Sequence, residues 1–145
     1  MTQLSGEEHF GQEQTEIWAR LTDAEFLAGC LPGLERVESD ESAFLVCRVR
    51  PGLSFLKGTI KVTLDAYGRQ PPDSLRIRVR SQGIGSSAMV ETSVELSAEG
   101  GTRISWSAEI VELGGLLKPV SRSLIQAAAG KIIADGWGGF RDALT

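Results

Sequence analysis

An α+β domain, with a curved antiparallel sheet, two short helices and a long C-terminal helix, is predicted by three features of the 145-residue chain. Trp18 to Gly33 compresses two short helical turns and a Pro-Gly exit into one brief stretch. A series of alternating segments follows, and the chain closes with its one long apolar-periodic segment, Leu116 to Leu144. A chain of this length buries one good core and is too short for two ordinary domains, so residues 1–145 are expected to form one domain.

Glu8 to Gln14 is polar and weakly alternating, with Phe10 its only large apolar residue, and periodicity alone makes it a poor strand. Thr15 is the expected N-cap of a first helical turn carrying Ile17, Trp18 and Leu21. Thr22 with Glu25 three residues on has the spacing of a capping box for a second. Pro32-Gly33 ends helical structure, because proline disfavours helix in the preceding residue and glycine permits the turn into a strand over 34–39. Asp40-Glu41-Ser42 is the expected hairpin turn into a strand over 43–50, which Pro51-Gly52 stops.

Thr59 to Ala66 alternates cleanly and places Ile60, Val62, Leu64 and Ala66 inward. Leu75 to Ser81 follows, with Leu75, Ile77 and Val79 facing one way and Arg76, Arg78 and Arg80 the other. After a wide connection at Gln82 to Ser87, Val90, Thr92, Val94 and Leu96 oppose Glu91, Ser93 and Glu95. Gly100-Gly101 turns the chain into Thr102 to Val111, where Ile104, Trp106, Ala108 and Ile110 share the inner face. Consecutive antiparallel strands with one apolar face need a cover. Leu113, Leu117, Val120, Leu124, Ala128, Ile132, Trp137, Phe140 and Leu144 supply it as a helical stripe, with Pro119 in the first turn. Gly130, Gly136, Gly138 and Gly139 each cost about 1 kcal/mol against alanine in a helix interior. They mark local fraying or close packing against the sheet, or else last turns that flex to admit a ligand.

Composition excludes several function classes. The formal net charge is −4, the pI is near 5.1, and no Lys/Arg cluster exceeds a pair, so nucleic acid is not an expected partner. The N-terminus has neither a basic nor an apolar leader region and no run approaches a membrane span, which predicts a cytoplasmic protein with no membrane span. Cys30 and Cys47 lack the spacing of a zinc site and are expected to be buried free thiols; no metal or cofactor is predicted.

Catalytic machinery is scarce. His9 is the only histidine and neighbours the inward Phe10, which leaves it exposed. Asp23 and Glu25 sit at a helix start, where capping and the helix dipole account for them. Gln82-Gly83-Ile84-Gly85-Ser86-Ser87 is glycine-rich, but it joins two strands and no lysine follows it. Arg76, Arg78 and Arg80 invite an anion site, yet Glu91 and Glu95 on the next strand favour cross-strand ion pairs. A non-enzyme is expected.

Strand, two helical turns, curved sheet and final long helix, in that order, resemble the START-like, or helix-grip, superfamily. Trp18, Leu21, Asp23, Cys30, Pro32 and Gly33, then Arg50-Pro51-Gly52, Leu56-Lys57-Gly58, Gly83-Ile84-Gly85-Ser86 and Gly114-Gly115, resemble the carbon monoxide dehydrogenase G-subunit family along nearly the whole chain. The resemblance makes Glu8 to Gln14 the first strand. It also implies a cavity between the long helix and the concave sheet, lined by Trp18, Phe26, Leu27, Leu31, Leu53, Phe55, Ile84, Trp106, Leu117, Val120, Leu124 and Ile125. Ser86, Ser87 or Thr92 would orient a ligand there. The implied function is binding and carrying a hydrophobic small molecule, quinone-like or lipid-like, as an accessory to a carbon monoxide dehydrogenase-type molybdenum hydroxylase. The alternatives are an assembly or recruitment factor for such an enzyme with a filled core, and a superfamily-type cyclase or hydrolase, which needs an acid or base in the cavity.

Overall fold

The computed structural model describes residues 2–31, 33–38, 44–50 and 58–144. Seven strands form one sheet: β1 (Gln3–Phe10), β2 (Leu34–Glu38), β3 (Leu45–Val49), β4 (Ile60–Gln70), β5 (Ser74–Gly83), β6 (Ser86–Ala98) and β7 (Thr102–Gly115). Their spatial order is β1-β7-β6-β5-β4-β3-β2, every pair antiparallel. Helices α1 (Gln14–Leu21) and α2 (Ala24–Cys30) connect β1 to β2, and α3 (Arg122–Ala143) follows β7. The first strand therefore docks on the last, and α3 returns over the inner face.

The inner face is the one that alternation predicts. Leu64, Leu75, Val94, Leu96, Ile104, Ala108 and Ile110 are all buried, and His9 is exposed beside the buried Phe10. Three clusters fill the interior. One joins Phe10, Ile17, Leu21, Ile104 and Phe140 at the C-terminal end of α3. A second packs Ala28 of α2 on Leu45, Cys47, Val62 and Leu64, and a third joins Ile110, Leu117 and Ile125 near the start of α3. Cys30 and Cys47 are free thiols in the first two, and burial raises the pKa of each.

Several element boundaries differ from the sequence expectation, each for a visible reason. The first strand is Gln3–Phe10, not Glu8 to Gln14, because Gln3 through Phe10 pair in register with Glu109 through Thr102. Its inner positions are Leu4, Gly6, Glu8 and Phe10. Gly6 makes room for the Trp106 ring and Glu8 pairs with Arg141 at 3.2 Å, so the strand carries little apolar signal. Glu13 rather than Thr15 occupies the N-cap position of α1, without a side-chain capping bond, and Gln14 is anchored by its amide donating to the Pro72 carbonyl at 2.9 Å. Asp23, not Thr22, caps α2 by accepting from the Phe26 N–H at 3.2 Å. The Thr22 hydroxyl instead donates back to the Trp18 carbonyl at 2.8 Å.

The largest difference lies before α3. β7 runs on to Gly115, paired with Ser86, and the helix starts at Arg122 with Ser121 accepting from the Leu124 N–H at 3.3 Å. Pro119 consequently precedes the helix. A register shift between Met89 and Val90 offsets the alternation of β7 past Ile110 and disguises that extension. The expected wide connection after β5 is a two-residue turn, Ile84-Gly85, closing directly between paired Gly83 and Ser86. Asp40-Glu41-Ser42, Pro32 and Pro51-Gly52 lie outside the described residues.

Helix α3 is continuous through its glycines to Ala143. Gly139 packs on the Cys30 backbone at the end of α2, and Gly130 faces Leu4 of β1. Close packing is thus found at Gly139, against α2 rather than the sheet, while Gly130 meets Leu4 at ordinary contact distance and Gly136 and Gly138 meet open space. Arg141 staples the end of α3 to β1, donating to the His9 carbonyl at 2.7 Å and lying 4.4 Å over the Phe10 ring.

Candidate functional site

The candidate site is the inner face where the clusters leave it incompletely covered. A residue in mid-sheet under a helix is ordinarily buried, yet Ile60, Ile77, Val79, Ala88, Val90, Thr92, Trp106 and Leu113 on this face are only half-buried. Register places Val79, Val90 and Ile110 side by side across β5, β6 and β7, and Ile77, Thr92 and Ala108 in the next row. The surface is apolar, with Thr92 as its central hydroxyl. On the described inner face the carboxylate is Glu8, at the β1 edge and held by Arg141.

The predicted lining residues divide among the clusters. Trp18, Phe26, Leu27 and Trp106 are half-buried against the first, where Phe26 meets Phe140 edge to face at 5.5 Å. Leu27 and Leu31 pack on the second. Leu117, Val120 and Ile125 belong to the third. Leu53 and Phe55 lie outside the described residues. Leu124 departs from expectation: it is 44% exposed, and with Ala128 and Ile132 at helical spacing it forms a stripe on the outer flank of α3. Leu116 is exposed as well. Sequence reasoning left Ile77, Val79 and Val90 out of the site because alternation identifies an inner face without showing where a helix fails to cover it.

Trp106 is the most informative of the lining residues. Its ring lies across Gly6, where an added β-carbon would stand 2.7 Å from Cζ2. The buried indole N–H has no acceptor among the described residues. At the tip of the β5–β6 turn, Ile84 adopts φ 56° and Gly85 φ 70°. A left-handed conformation costs an L-residue about 1–2 kcal/mol, and it is rarest for β-branched side chains.

The outer face carries the arginine ladder. Arg78 donates to Glu91 at 2.7 Å, as its direct cross-strand register dictates. Arg80 finds Asp65 of β4 at 3.0 Å rather than a β6 carboxylate, and Arg76 lies 5.7 Å over the Tyr67 ring. Glu95 stands opposite Ser74. A polar groove of about 380 Å³, lined by residues including Ser5, Ser93, Ser107, Arg76 and Glu109, lies on this face, across the sheet from the apolar surface. Among the described residues no three His, Cys, Asp or Glu come together to hold a metal ion, and no helix is long and apolar enough to cross a membrane.

The Tyr67 hydroxyl donates to Glu91, and that bond first, then the Arg78 guanidinium, lowers the Glu91 pKa against an opposing desolvation effect. The same bond raises the pKa of Tyr67. A carboxyl that holds its proton less readily folded than unfolded stabilises the fold above the ordinary glutamate range. That contribution is lost as pH falls through the lowered value. Glu91→Gln is therefore expected to reduce the urea midpoint at about pH 7, and the difference from wild type is expected to shrink progressively as pH falls below the ordinary glutamate range.

Residues 6–145 match the family described as the carbon monoxide dehydrogenase G subunit (CoxG). No curated protein matches the sequence. Among solved structures, a conserved protein from Geobacillus kaustophilus superposes with a TM-score of 0.87 at 17% identity, over 97% of this chain and 93% of that one. The AHSA1 protein from Silicibacter pomeroyi gives a TM-score of 0.69 at 15% identity, over 99% and 97% of the two chains. An uncharacterized protein from Rhizobium leguminosarum gives 0.69 at 15% identity, over 99% and 93%. At these identities the likeness establishes the helix-grip fold and nothing further.

Proposed function

The chain belongs to the CoxG family, a family of carbon monoxide dehydrogenase accessory subunits, and from that premise we propose that it binds and carries a hydrophobic small molecule on its concave inner face. One observation supports this above the rest: Ile77, Val79, Val90 and Trp106 on the inner face are only half-buried, although Ile110 beside Val90 is buried against Leu117 and Ile125. At about 25 cal/mol per Å², a molecule burying a few hundred Å² of apolar surface gains several kcal/mol before ordering costs. No charged anchor is needed. A quinone-like cargo is favoured over a plain lipid tail because its carbonyl oxygens would accept from the half-buried Thr92 hydroxyl at the centre of this face. The physiological partner of such a carrier would be a molybdenum hydroxylase of the carbon monoxide dehydrogenase type, which would take up or deliver the reduced and oxidised cargo.

The second reading is an assembly or recruitment factor that works from its surface. The exposed Leu116, Leu124 and Ile132 favour it, since three large apolar side chains lie in and just before α3 without cover. Titration with a short-chain benzoquinone, followed by tryptophan fluorescence, separates the two. Saturable quenching, weakened in Trp106→Phe, supports the carrier; no quenching at any concentration together with capture of a hydroxylase subunit supports the assembly factor.

A further inference from the structure

We propose that Ile84 is the lip of the cargo site, a side chain that hinders escape from the inner face and is kept there at the expense of backbone strain. The proposal rests on the carrier function above and identifies the residue that controls its release step.

Two consecutive residues with positive φ, Ile84 and Gly85, make a two-residue hairpin turn that suits an Asn-Gly pair. Isoleucine is among the residues least suited to the first position, because its branched β-carbon crowds the backbone there. The hairpin does not need it. Gly83 and Ser86 pair across the turn, and the Ser86 hydroxyl donates to the Gly83 carbonyl at 2.8 Å, neither contact involving the Ile84 side chain.

What the side chain does is reach toward the neighbouring strand. Its Cδ1 lies 3.7 Å from the point where a β-carbon on Gly58 would stand, so it reaches from the β5–β6 tip to the approach of β4. Beside it, Leu116 hydrogen-bonds through its N–H to the Gly85 carbonyl at 3.0 Å and is 63% exposed. The next residue, Leu117, is buried with Ile110 and Ile125. Ile84, half-buried, and Leu116, exposed, are thus two apolar side chains at the β5–β6 tip, one on the sheet and one on the segment leading to α3. Strain held in place by surrounding contacts at the edge of a site is the arrangement expected where function requires the side chain.

The test compares wild type with Ile84→Asn and Ile84→Gly in the full chain. Melting temperature is read by circular dichroism, and release of a decyl-substituted benzoquinone is read by stopped-flow tryptophan fluorescence after mixing with empty phosphatidylcholine vesicles. Both variants are expected to melt about 3 °C higher, as the turn strain is relieved. Both are also expected to release the quinone about tenfold faster. A fall in melting temperature would show that Ile84 is ordinary packing, and release rates within twofold of wild type would show that it is no lip; either result overturns the proposal. Failure of the wild type to bind the quinone, established first by equilibrium titration, would instead overturn the carrier function and this proposal with it.

Discussion

Gly139→Ala is expected to lower stability by about 3 kcal/mol, whereas Gly138→Ala, one position away, is expected to raise it by about 1 kcal/mol. A β-carbon on Gly139 would run into the Cys30 carbonyl, and both partners are backbone, so relief requires α2 and α3 to separate. Separation would loosen the edge-to-face packing of Phe140 on Phe26 and Phe10, which closes the first cluster. A β-carbon on Gly138 meets nothing within 4 Å and simply removes the conformational freedom that glycine brings to a helix. Paired urea melts check the contrast. Equal effects of the two substitutions would mean that α2 does not rest on α3 at this point.

Val90→Trp is expected to abolish cargo binding, with an affinity loss of about 100-fold, while leaving the melting temperature within about 3 °C of wild type. Val90 is half-buried between Val79 and Ile110 on the inner face. An indole at that position occupies the space a ligand would use. The stability readout carries as much information as the binding one: in a filled core the larger side chain would cost about 1–3 kcal/mol through overpacking, but in an open cavity it has room. Leu124→Trp is the informative control. Leu124 is 44% exposed on the flank of α3, so enlarging it should leave quinone affinity nearly unchanged.

The sheet was legible wherever a strand has one wet and one dry face. Ile60, Val62, Leu64 and Ala66 on β4 and Leu75, Ile77 and Val79 on β5 announce their side by alternation alone. β1 does not, because its inner positions hold Gly6, which accommodates the Trp106 indole, and Glu8, which meets the Arg141 guanidinium. Both compensations come from residues about a hundred or more positions away. The start of α3 was obscured differently: Leu113, Leu116 and Leu117 have helix-like spacing, but backbone pairing through Gly115 keeps the first of them in the sheet. Arg78 pairs as its neighbour's charge predicts, while Arg80 pairs to the other side, because charge pattern alone does not say which adjacent strand offers the nearer carboxylate.

For the site, the sequence indicated which face is apolar. Partial cover was invisible to it. Burial of Ile125 beside the exposed Leu124 depends on the rotation of α3 about its axis, and the close approach of Gly139 to the Cys30 backbone constrains that rotation from the far end of the helix. The strain at Ile84 likewise exists only once β5 and β6 pair through Gly83 and Ser86 and force a two-residue turn.

The most direct test of the carrier function is mass spectrometry of an organic extract of the purified protein, alongside native mass spectrometry of the intact chain. The carrier account predicts a single apolar species bound one to one, displaced by a short-chain benzoquinone and absent from Val90→Trp. A chain that is ligand-free as isolated, and that shows no adduct after incubation with quinones or fatty acids, would contradict it and leave the exposed surface of α3 as the working part of the protein.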